Sequence, residues 1–185
     1  MEGRMRSLGV RMHGVTLTLE ADNPRLIAYA REHLQSLVIE PVPAPDLLVR
    51  CRWSRGEWDP QVNPFPTDGA LNIIGNRMLG GADELVWLDT LHMRGLQLRF
   101  CREGGRFLFD VAYRFHPKRG VAGAAAYEYK KFFSLMSYLV YHPLLWYLRT
   151  FRGWTVMHAS ALDTAYGGII IAGLAGVAKS RPVSP

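Results

Sequence analysis

The chain has 185 residues, 49% hydrophobic and 21% charged, with a formal net charge of +6 and a pI of about 9.6. This composition excludes a disordered chain, and the length suffices to bury a core. The basic residues are scattered, mostly arginine, and no run of five like charges occurs, which argues against a nucleic-acid-binding face.

The first ten residues lack a long apolar stretch, so no secretory signal is expected and the chain reads as cytoplasmic. Residues 10–20 alternate apolar and polar in part, like one strand. Asn23 before Pro24 reads as an N-cap followed by proline at the first helical position. Leu26, Ile27, Ala30, Leu34 and Leu37 recur at helical spacing, so the pattern predicts an amphipathic helix over 24–37. A proline-rich linker, Pro41 to Pro45, leads to a predicted strand from Leu47 to Trp53.

After a turn-rich stretch containing Pro60, Pro64, Pro66 and Gly69, two short strands are expected, Leu71 to Ile74 and Glu84 to Asp89. The clearest local signal is a hairpin. Leu96, Leu98 and Phe100 alternate with polar neighbours, Glu103-Gly104-Gly105 turns the chain, and Phe107, Phe109, Val111 and Tyr113 alternate back. Cys51 and Cys101 lie on strand-like segments and form no CxxC pair or metal-ligand spacing, so both read as reduced core residues. The histidines outside the C-terminal motif, His33 among them, show no ligand spacing and read as surface or structural.

The glycine- and alanine-rich stretch at 120–126 opens a long helix over 124–149, expected to kink near Pro143 and stop at Gly153. Its segment 132–148 is apolar but shorter than the roughly 20 residues a membrane-spanning helix needs, and His142-Pro143 interrupts it. No integral span is expected; a membrane-surface helix is the alternative. Two strands should follow, Thr155 to Leu162 and Gly168 to Ala172. The expected fold class is α+β. A small mixed strand and helix module occupies 1–120. A connecting helix and the first two strands of an α/β phosphate-loop domain occupy 121–185.

The second of these strands runs into Gly173-Leu174-Ala175-Gly176-Val177-Ala178-Lys179-Ser180. The pattern G-x-x-x-x-G-K-[ST] is a phosphate loop, and each part has a task. Glycines let backbone N–H groups turn inward around phosphate oxygens. The lysine sets a positive charge against the β and γ phosphates, and the hydroxyl reaches Mg²⁺. The preceding Ile169-Ile170-Ile171-Ala172 reads as the buried strand such a loop requires. Ala178 stands where the pattern has glycine. It is tolerated if that position is helical and damaging if it needs a positive φ. Five residues with two prolines follow Ser180, so the helix after the loop is expected to be missing and the domain truncated.

Met157 to Leu162, Gly167 to Ala172 and Gly173 to Ser180 together resemble the start of the catalytic domain of HPr kinase/phosphorylase and related kinases. In that family a strand with an HA-type motif precedes a hydrophobic strand and the loop. Its active-site histidine stands as far from the loop lysine as His158 does from Lys179. The resemblance covers about residues 154–180. It implies ATP and Mg²⁺ as cofactors and phosphoryl transfer to a serine of a protein substrate, or to another acceptor in divergent members. Gly173 to Ser180 would wrap the nucleotide phosphates, Lys179 would neutralise the transferred group, Ser180 would bind Mg²⁺ and His158 would stand in the active site. The family's catalytic aspartate and second metal-binding acid fall after the loop, so the resemblance implies a kinase incomplete and inactive as written. The competing expectation is a non-catalytic binding or regulatory module with a vestigial phosphate loop.

Overall fold

The computed structural model describes residues 4–66, 69–90, 93–117, 124–155, 157 and 159–172. The chain divides into two compact units, 1–146 and 147–185.

The first unit opens on a hairpin, β1 (Arg6–Met12) and β2 (Val15–Ala21), paired from Met12 opposite Val15 to Arg6 opposite Ala21. The single strand expected over 10–20 is therefore two strands. His13 (φ 49°) and Gly14 (φ 79°) both occupy the left-handed region that a two-residue hairpin turn of matching twist demands. Helix α1 (Pro24–Leu34) follows, with Asn23 Oδ1 accepting from the N–H groups of Arg25 and Leu26, and a 3₁₀ turn over Gln35–Leu37 extends it. Its apolar stripe of Leu26, Ile27, Ala30 and Leu34 is buried.

Strands β3 (Val38–Ile39), β4 (Leu47–Arg55), β5 (Asn72–Gly75), β6 (Met78–Gly80), β7 (Glu84–Trp87), β8 (Leu96–Glu103) and β9 (Arg106–Phe115) complete a nine-stranded sheet ordered β3-β1-β2-β4-β9-β8-β7-β6-β5. The β2–β4 and β4–β9 pairings are parallel and the rest antiparallel. The architecture is thus mixed α+β built on one large, mostly antiparallel sheet. The β8–β9 hairpin turns at Gly104 (φ 57°) and Gly105 (φ 81°), where the sequence predicts it.

Period-two alternation gives this sheet two different faces. On one face Leu8, Val10, Leu17, Leu19, Leu47 and Val49 are fully buried or nearly so. Helix α2 (Ala124–Met136) belongs to this layer: Phe132 packs its ring against Trp53 of β4 and Tyr29 of α1 at 5.2 and 5.9 Å between centroids. The Glu128 carboxylate, buried on α2, receives Arg25 and Arg55. His33 accordingly has a structural place, stacked on Tyr29 and hydrogen-bonded through Nε2 to the Tyr141 hydroxyl at 2.9 Å.

The expected kink at Pro143 takes the form of a widened turn. Ser137–Tyr141 is π-helical, and α3 (His142–Arg152) continues from it. Proline lacks an N–H and its ring would meet the carbonyl four residues back, so widening the preceding turn removes the clash without ending the helix. His142 N–H accordingly bonds Ser137 C=O. Trp146 of α3 stacks edgewise on Phe100, Phe107 and Phe109 at 4.9–5.6 Å.

In the second unit the helix ends at Gly153 (φ 66°), and Trp154 N–H returns to Leu148 C=O at 3.2 Å. Strands β10 (Ala159–Thr164) and β11 (Gly167–Ala172) then form a separate two-stranded antiparallel sheet.

Candidate functional site

The β10–β11 ladder runs from Thr164 opposite Gly167 to Ala159 opposite Ala172. Thr164 holds the turn: its hydroxyl donates to Gly167 C=O at 2.7 Å and accepts from Tyr166 N–H. At the open end, His158 precedes Ala159 in the chain and Gly173 follows Ala172. The two sequence motifs therefore attach to the same end of one hairpin, on adjacent strands. His158 itself, and Gly173, Leu174, Ala175, Gly176, Val177, Ala178, Lys179 and Ser180, lie outside the described residues.

One expectation about this segment is overturned. The strand before the loop was expected to be buried, yet Ile169, Ile170 and Ile171 are 50%, 62% and 40% exposed. Two paired strands satisfy each other's backbone edge but cover neither face, so apolar composition alone buries nothing.

The first unit carries its charged chemistry on the sheet face opposite Phe132. Glu20, Arg50, Asp110 and Arg99 stand in one row across four adjacent strands, β2, β4, β9 and β8. Arg50 reaches Glu20 at 3.3 Å and Glu103 at 3.4 Å. Arg99 reaches Asp110 at 3.1 Å and also bonds Glu84. Burial alone would lower the Arg99 pKa, but the bonds from Glu84 and Asp110 and the neighbouring charges outweigh it, so the guanidinium is held more firmly charged. A cavity of about 540 Å³ opens above this row, with Arg52 and Asp22 at its wall. Pro66, of the segment after β4, also lines it, and that segment is held by Phe65 packing on Val86 and Leu88 and by Gln97 Nε2 donating to Val62 C=O at 2.8 Å.

The two cysteines are free and buried. Burial pushes both thiols up, which keeps them protonated and poor nucleophiles. Among the described residues no group of three or more His, Cys, Asp or Glu could hold a metal ion, and no helix is long and apolar enough to cross a membrane.

The charged row was missed by sequence reading. Arg50 and Arg52 alternate with Val49 and Cys51, a pattern that marks one polar face. Only the register brings Asp110, sixty positions away, opposite Arg50. Comparison of the chain with protein-family models, curated proteins and solved structures gives no match.

Proposed function

We propose that residues 154–180 open a nucleotide-binding domain of the HPr-kinase type, and that the protein binds ATP with Mg²⁺ in the manner of a protein-serine kinase, in the cytoplasm. The observation that carries this reading is the β10–β11 register, which attaches the His158 motif and the glycine loop to one end of a single hairpin. In this reading the backbone N–H groups of Gly173 to Ala178 cradle the phosphates, Lys179 offsets their charge and the Ser180 hydroxyl is a Mg²⁺ ligand. His158 stands beside the transferred group. Catalysis of this class rests on positioning and charge stabilisation, so loss of the lysine alone should abolish productive binding.

Ala178 favours a second reading, in which the loop is vestigial and the first unit binds a partner without catalysis. Calorimetric titration of the full chain with Mg-ATP separates the two. The kinase-type reading expects saturable binding that disappears in Lys179→Ala. No heat and no rise in melting temperature would leave the vestigial reading in its place.

A further inference from the structure

A second cavity in the first unit, about 450 Å³, lies where β9 ends beside the first turns of α2. Its chemistry is one-sided. Arg94, Arg114 and Lys131 line it with full positive charges, His116 adds an imidazole ring, and Glu57 is the one carboxylate among the described lining residues.

The floor is rigid. Arg114 is locked by its Nη1 donating to Glu57 C=O at 2.7 Å, its Nε to Ser54 Oγ at 3.3 Å and its backbone N–H to Gly95 C=O at 2.8 Å. Gly95 sits at φ 84°, and a Cβ there would lie 2.4 Å from Arg114 O, so only glycine allows this close approach. Lys131 lies over the Tyr127 ring, its Nζ 5.3 Å from the centroid. Arg94 has no ion pair or hydrogen bond among the described residues.

One buried donor in this wall lacks an acceptor. Trp58 Nε1–H is buried with no hydrogen-bond partner. Tyr113, 2% exposed, lines the same wall and carries a second donor in its hydroxyl. Buried polar groups ordinarily find partners, and one left unpaired marks either strain or a missing ligand. Here the Trp58 donor lines a cavity rich in cations and poor in acceptors.

We propose that this cavity is a binding site for a small oxyanion, a phosphate or a carboxylate. Arg94 and Lys131 supply its counter-charge, and Tyr113 and Trp58 donate to its oxygens. The site lies in the first unit and does not depend on the C-terminal loop.

The test titrates the full chain with inorganic phosphate and, separately, with succinate at constant ionic strength, following tryptophan fluorescence and melting temperature. Saturable binding of at least one probe is expected, and the probe that binds identifies the phosphate or the carboxylate class. Arg94→Ala combined with Lys131→Ala should weaken binding by about tenfold or more, since charge-assisted hydrogen bonds are lost. Tyr113→Phe should weaken it several-fold while leaving the melting temperature unchanged or raised, because the free protein loses only the hydroxyl. Saturable binding should persist in Lys179→Ala, which assigns that signal to this cavity rather than to the C-terminal loop. No saturable binding of either probe, loss of binding in Lys179→Ala, or undiminished binding in both cavity variants would overturn the proposal.

Discussion

The large sheet of the first unit and the small hairpin of the second are built from similar residues and end in opposite states. Leu17, Leu19 and Val49 in the large sheet are at most 1% exposed, while Ile169, Ile170 and Ile171 in the hairpin remain 40–62% exposed. Hydrophobicity does not separate them; isoleucine is as apolar as leucine. The difference is a partner layer. In the large sheet, neighbouring strands satisfy the backbone and helices α1 and α2 cover one face. The hairpin has the backbone ladder without a described cover. Burial stabilises by about 25 cal/mol per Å² of apolar surface removed from water, so strand composition contributes only where a second layer exists.

This contrast can be broken by mutation. The largest effect is expected for Phe132→Ala, which opens a cavity between Tyr29 and Trp53 and should lower stability by about 3–5 kcal/mol in urea denaturation. A loss below about 1 kcal/mol would mean that α2 does not cover the sheet as described. Asp110→Ala comes next. Arg99 keeps Glu84 but loses a buried charged partner, and a cost of about 2 kcal/mol should appear in the same assay.

Alkaline pH should act on the first unit in a defined direction. Burial raises the Cys51 thiol above its ordinary 9.0, and Tyr29, Tyr138 and Tyr141 above their ordinary 10.0. The unfolded chain therefore releases protons first. The stabilising contribution is complete below pH 9 and declines as pH rises through and beyond the unfolded values. Cys51 alone should contribute a slope of about 1.4 kcal/mol per pH unit once above 9, and Cys51→Ala should remove that slope whatever it does to absolute stability. Chemical denaturation at a series of pH values measures it, and a flat profile to pH 10 in the parent chain would contradict the burial of the thiol. The smallest effect is expected for Ile170→Ala, within about 0.5 kcal/mol, because the side chain is already largely hydrated. A core-like loss there would reveal a cover for the hairpin.

Several elements were legible from local chemistry. The Asn23-Pro24 cap, the stripe of α1 and the Gly104-Gly105 hairpin each rest on neighbours in sequence, and each is present. The turn at His13-Gly14 escaped because histidine rarely adopts a positive φ and the surrounding alternation continues across it. Strand β6, three residues long, carried too little periodicity to register. The phosphate loop was legible as a motif, and its residues lie outside those described; the register of the strands leading to it is what the fold contributes.

From sequence alone come local facts: where the helices and the longer strands fall, the Asn23 cap and the Gly104-Gly105 turn, and that a histidine motif and a glycine loop are joined by a short strand pair. These depend on φ preferences and on spacings of a few residues. Tertiary structure decided what lies opposite what. The pairing of Arg50 with Asp110, the cavity holding Tyr113 and Trp58, and the exposure of Ile169 to Ile171 all follow from strand order and layer packing. Those are set by contacts between residues tens of positions apart, where side-chain periodicity carries no information about the partner.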